Sequence, residues 1–245
     1  MGNALPVWVL ASMVTGAVSS LFAQQLSSPA AGRWAIEVHG GAGVIKRSAM
    51  SPEAEAAFRA SMAQAAEAGA KVLDRGGSSL DSVEAAIRIL EDDPLFNAGR
   101  GAVFTPEGKN ELDAALMDGS NLKAGAVAGV TRTRHPISLA RAVMEQSPHV
   151  MLIGAGADAF AAQVGLELVD PSFFFTERRW QSLVEQLKKE GRPIPPRPAG
   201  APPPPPVPVA EIEAPDVHKF GTVGVVALDK QGNLAAGTST GGVQA

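Results

Sequence analysis

The chain of 245 residues has no cysteine and no tyrosine, and only 5% of it is aromatic. Without cysteine there is no disulfide, no thiolate nucleophile and no cysteine-ligated zinc. The four histidines, His39, His135, His149 and His218, stand far apart and show none of the short spacings of a metal site. Basic residues are not in excess: 21 Lys and Arg face 25 Asp and Glu, a net charge of −4. That balance leaves no basic patch, so nucleic acid is not an expected partner. Few aromatics beside 26 glycines and abundant alanine point to closely approaching backbones in place of a large aromatic core. The length permits one sizeable domain.

Charge is also missing from Gly2 to Gly32. Leu5 to Ala23 is mostly apolar and ends in Leu21-Phe22-Ala23-Gln24, which reads as a secretory signal peptide over 1–23 followed by a mature tail over 24–32. The expected location is then periplasmic or secreted. An uncleaved membrane anchor is the alternative.

What is present reads as mixed α and β. Trp34 to Val38 is expected to be a buried strand, with a Gly-rich turn over His39 to Gly43. Ser51-Pro52-Glu53 opens a helix that runs to Asp74, and Ser78 to Asp81 opens a second ending near Asp92, before Pro94. Short strands are expected over Ala102–Thr105, Glu111–Met117, Ala124–Thr131 and Val150–Ile153. Helices are expected over Pro136–Gln146, Asp158–Val164 and Thr176–Glu190. Gly154-Ala155-Gly156-Ala157-Asp158-Ala159 has the form of a dinucleotide fingerprint but lacks the acidic residue about twenty positions on. Its glycines are expected to permit close strand–helix packing.

The globular part is thus read as 33–190 and the stretch 191–221 as a flexible linker. Eleven of the 19 prolines fall between Pro193 and Pro215, a composition that favours extended polyproline conformations. A docking peptide for a proline-binding partner is the alternative.

Behind that linker comes Phe220-Gly221-Thr222-Val223-Gly224-Val225-Val226-Ala227-Leu228-Asp229. A threonine that opens an apolar strand after a glycine suits a nucleophile made by cutting its own chain at Gly221–Thr222. The freed α-amine, with an ordinary pKa of about 7.7–8.0, serves as general base for the hydroxyl beside it. An ordinary strand start is the bland alternative. Asp229 to Asn233 reads as a hairpin turn with Gly232 in the left-handed position. Counting outward from Asp229 and Asn233 sets Thr222 opposite Thr240, at about 4.5–5.5 Å between Cβ atoms.

The chain resembles the plant-type asparaginase and isoaspartyl peptidase family of N-terminal nucleophile hydrolases. The resemblance rests on Trp34 to Gly43, Asp81 to Ala86, Asp93 to Gly101, Glu111 to Ala114, Met117 to Gly119, Gly125 to Val130, Pro148 to Gly154, the Thr222 run and Thr238 to Gly242. It implies an α+β fold, a four-layer αββα sandwich, and an autoprocessing amidohydrolase acting on isoaspartyl dipeptides and L-asparagine. By resemblance Thr222 is the nucleophile, Thr240 the supporting hydroxyl and Asn97 an asparagine that approaches the nucleophile. The backbone carbonyls of Leu90, Glu91, Asp93, Phe96, Ala98 and Arg100 match a structural sodium site, a fit for a hard cation. No organic cofactor is implied, and a homodimer of processed units is expected. The family's substrate-clamping and oxyanion residues would lie beyond Ala245, so 222–245 is read as the start of a second part, truncated here. A glycosylasparaginase and a non-catalytic remnant of the family are the alternatives.

Overall fold

The computed structural model describes residues 32–41, 50–205 and 221–242. The expected signal peptide, His218 and the last part of the linker lie outside the described residues.

Capping chemistry sets the helix starts. Ser51 accepts a hydrogen bond from Ala54 N and Pro52 stands at the first turn of α1 (Pro52–Asp74). Ser78 does the same for Asp81 N at the head of α2 (Ser79–Asp92). Pro136 opens α3 (Pro136–Gln146), and Thr176 caps α5 (Glu177–Lys189). Helix α4 (Gly154–Gln163) begins four residues before the expected Asp158, directly from its preceding strand. The close packing expected of its glycines is absent: a Cβ at Gly154 or Gly156 would meet nothing within 4 Å.

Six strands form one mixed sheet in the order β1-β5-β6-β2-β3-β4. They are β1 (Ala35–His39), β2 (Leu112–Asp118), β3 (Lys123–Val130), β4 (Met151–Ile153), β5 (Val223–Leu228) and β6 (Leu234–Gly241). All pairs are antiparallel except β3–β4, which the α3 crossover joins in parallel. The class is α+β, as the family resemblance implies. The expected strand over Ala102–Thr105 does not form. Side chains occupy its backbone groups instead: Asn97 Oδ1 accepts from Val103 N, and Asn110 Nδ2 donates to the carbonyls of Ala102 and Val103.

One sheet face carries the core. Val223, Val225 and Ala227 of β5, Leu112 and Leu116 of β2 and Val127 of β3 are buried with Val83, Ile87 and Leu90 of α2 and Ile137 and Val143 of α3. Each of the Val, Leu and Ile side chains contributes about 1.5–3 kcal/mol when fully buried. The expectation of close backbones holds here: a Cβ at Gly125 would stand 2.1 Å from the Ala140 carbonyl oxygen, so only glycine lets α3 lie this near β3. The other face carries Val226, Leu234, Met117, Met151 and Ile153, all exposed. A second, smaller core gathers Phe104, Phe175, Trp180, Leu183 and Leu187 under α5.

The proline-rich stretch differs from a loose tail over its first part. Arg197 lies 4.5 Å over the Phe175 ring, pairs with Glu177 and donates to the Pro202 carbonyl. Ala201 packs on the second core. Cation–π and charge contacts of this kind are invisible in a composition.

Candidate active site

The β5–β6 hairpin places the two threonines. At its turn, Asp229 N donates to the Asn233 carbonyl at 3.0 Å, and Gly232 takes φ +87°. The register then runs from Leu228 opposite Leu234 to Val223 opposite Ser239. One step further, Thr222 faces Thr240, and Thr222 Oγ1 donates to Thr240 Oγ1 at 3.2 Å. Thr240 Oγ1 donates in turn to the Gly241 carbonyl at 3.1 Å. The Thr222 proton is therefore directed at Thr240, and that bond leaves the lone pairs of Thr222 Oγ1 unused. By strand alternation both side chains belong to the open face of the sheet, together with Val226 and Leu234.

Asn97 closes the site from the loop after α2. Its carbonyl accepts from Gly241 N at 3.1 Å and its Oδ1 from Val103 N at 2.9 Å. A Cβ at Gly221 would stand 2.7 Å from Asn97 Cβ and 3.6 Å from Asn97 Nδ2. So the residue before Thr222 has room only as glycine, and an amide N–H donor lies beside it.

Several residues here carry no local signature. His39, expected only as part of a turn, sits at the end of β1 with Nδ1 3.1 Å from the Thr222 carbonyl oxygen. With a carbonyl as partner, Nδ1 bears the proton. The Glu91 side chain is fully buried; Oε1 accepts from Ser239 Oγ at 2.7 Å and from Ile137 N at 2.9 Å, and Oε2 has no partner among the described residues. Burial pushes this carboxyl up to about 8, against the opposing pull of its two donors. Its spacing four residues after the buried Ile87 is the one hint of burial in the sequence. Ser239 ties Glu91 to the strand that carries Thr240.

The loop after α2 carries the six carbonyls of the sodium expectation. Leu90 and Glu91 lie in the last turn of α2, where helix carbonyls lack onward partners and the dipole is negative. The carbonyls of Asp93 and Ala98 each accept one N–H, from Phe96 and Gly101, and keep a second lone pair. A Cβ at Gly99 would stand 2.2 Å from the Glu91 carbonyl oxygen, and one at Gly101 2.1 Å from that of Phe96. These close approaches leave room only for glycine at both positions. Among the described residues no cluster of His, Asp and Glu side chains could hold a metal.

The family pattern described as asparaginase matches residues 32–245. An isoaspartyl peptidase of Escherichia coli is 49% identical over 212 residues, covering 86% of this chain and 62% of that protein. An isoaspartyl peptidase/L-asparaginase of Dictyostelium discoideum, named as putative, is 49% identical over 84% of this chain and 64% of its own length. A plant-type L-asparaginase of Pyrococcus abyssi is 45% identical over 85% of this chain and 63% of its own. The chain spans less than two thirds of the length of these relatives. With the family pattern running through the described sheet, both threonines and the Asn97 loop, the chain belongs to the asparaginase family.

Proposed function

We propose that this protein is an autoprocessing amidohydrolase that removes β-aspartyl residues from isoaspartyl dipeptides and hydrolyses L-asparagine, with Thr222 as nucleophile. The pair of hydroxyls, Thr222 to Thr240 at 3.2 Å and directly after Gly221, carries this reading. The names of the relatives, isoaspartyl peptidase and plant-type L-asparaginase, support the substrate class.

In the first reaction Thr222 Oγ1 attacks the Gly221 carbonyl carbon and gives up its proton. The C–N bond breaks, the Thr222 nitrogen takes a proton, and the chain becomes an ester. Asn97 Nδ2, beside Gly221, donates to the oxyanion. Water then hydrolyses the ester, and Thr222 keeps a free amine. In the second reaction that amine takes the hydroxyl proton while Oγ1 attacks the substrate's side-chain amide. Ammonia or an amine leaves, and water releases aspartate from the β-aspartyl ester. Thr240 orients the hydroxyl in both reactions.

A second sheet over the face that bears Val226, Leu234 and Met117 would complete a four-layer αββα sandwich, and these exposed apolar residues support it. Sodium would be held by the carbonyls of Leu90, Glu91, Asp93, Phe96, Ala98 and Arg100, and would supply positive charge that stiffens the loop. A homodimer of processed units and export through residues 1–23 belong to the same reading.

The test is intact-mass analysis of the protein purified from its own cells, beside Thr222→Ala. Two chains, one beginning at Thr222, are expected for the wild type and one uncut, inactive chain for the variant. A cut or active Thr222→Ala protein would overturn the assignment.

A further inference from the structure

Helix α5 buries Trp180, Leu183 and Leu187 in the second core, and on the same stripe it buries Arg179, which is 4% exposed. Its neighbour Arg178 is half-buried. Taking a guanidinium out of water costs several kcal/mol unless its donors are well used. Neither arginine is ion-paired among the described residues. Asp93 is the carboxylate whose field reaches Arg178, and Arg178 is the like charge beside Arg179. Burial, and to a lesser degree Arg178, pulls Arg179 down to about 9, which leaves it charged at neutral pH.

One nitrogen of each arginine donates to backbone carbonyls of one loop. Arg178 Nη2 donates to Pro94 at 2.9 Å and to Leu95 at 3.3 Å. Arg179 Nε donates to Gly101 at 2.7 Å. These carbonyls are the ones that the sodium expectation does not use, so the loop's oxygens divide between two protein cations and the proposed ion. The two arginines grip the loop on either side of Asn97. Between the grips, Asn97 meets Gly241 N, Val103 N and the Cα side of Gly221. The apolar contacts of Trp180, Leu183 and Leu187 already dock α5. What the guanidinium groups add is direction, because a charged N–H held at 2.7–2.9 Å fixes the carbonyl it binds.

We infer that Arg178 and Arg179 are positioning residues for self-cleavage, which hold the Pro94–Gly101 loop so that Asn97 stands against Gly221. The inference rests on the autoprocessing reading. A shift of about 1 Å at a reacting centre lowers a rate by roughly a hundredfold, and loss of either grip frees one end of the loop.

The test uses the complete gene product. Cleavage of Gly221–Thr222 is timed for the wild type, Arg179→Met, Arg178→Met and Arg179→Lys. Each change is also placed in a Thr222→Ala background, where every precursor is uncut and its melting temperature can be compared. At least about tenfold slower cleavage is expected for Arg179→Met, with a melting temperature close to that of Thr222→Ala. Arg179→Lys still reaches the Gly101 carbonyl and is expected to recover most of the rate. Arg178→Met, at a less buried position, gives the same slowing where Arg179→Met fails to fold. Wild-type cleavage in both Met variants would overturn the positioning role alone. So would slowing that tracks the melting temperature and is not relieved by lysine. An uncut wild type would overturn the autoprocessing reading together with this inference.

Discussion

At its turn the β5–β6 hairpin is bonded on every side; at its open end it is not. The Asp229 carboxylate, 2% exposed, accepts from Ser79 N, Gln231 N, Asn233 N and Asn233 Nδ2. Ser79 begins α2, so the anion also meets the positive end of a helix. At the other end, Thr222 has one hydroxyl bond to Thr240, a carbonyl contact from His39 and a glycine on its N-terminal side. A register pinned at the turn is carried along the ladder, so the reactive end keeps its alignment with few bonds of its own. On the proposed reading, that freedom is what lets Thr222 Oγ1 attack.

The largest test of this contrast is Thr222→Ala, for which cleavage and turnover are both expected to vanish while the hairpin still forms; circular dichroism and gel mobility check the two parts. Asp229→Ala attacks the turn instead. It leaves the N–H groups of Ser79, Gln231 and Asn233 unpaired and is expected to cost about 3 kcal/mol of stability, read from denaturant unfolding, with slower cleavage as the register loosens.

The pH dependence sharpens the same point. Burial raises the Asp229 pKa, but the N–H bonds from Asn233, Ser79 and Gln231 outweigh it and hold the carboxyl below the ordinary aspartate value. A depressed pKa gives stability that is present above the unfolded value and lost as the pH falls through the folded one. The difference in melting temperature between wild type and Asp229→Asn should therefore be full at neutral pH. It should close on acidification below the ordinary aspartate range.

Thr240→Ala touches only the reactive end. Turnover is expected to fall about tenfold, equivalent to about 1.4 kcal/mol of barrier, with unfolding unchanged, and wild-type turnover would remove Thr240 from the site. The smallest effect is expected for Arg197→Ala, away from both ends. Loss of its contacts to Phe175 and Glu177 should cost about 1 kcal/mol and admit limited proteolysis near Pro202, with the rate of cleavage at Gly221 unaltered.

Local chemistry made much of this protein legible from its sequence. Ser51-Pro52, Ser78 and Thr176 start helices because a side-chain oxygen or a proline ring meets the needs of the first turn within a few residues. The hairpin was legible for the same reason: a turn of known length sets the register, and the register brings Thr222 to Thr240. What the tertiary structure alone decided is long-range. Ala102–Thr105 has the composition of a strand, yet Asn97 and Asn110 take its backbone groups first. The proline-rich stretch has the composition of a free linker, yet Arg197 finds Phe175 and Glu177. Arg179 reaches Gly101 across 78 residues of chain, and Ser239 reaches Glu91 across 148. Such pairs exist only once the helices have packed on the sheet, because no spacing along the chain encodes which buried polar group will satisfy another.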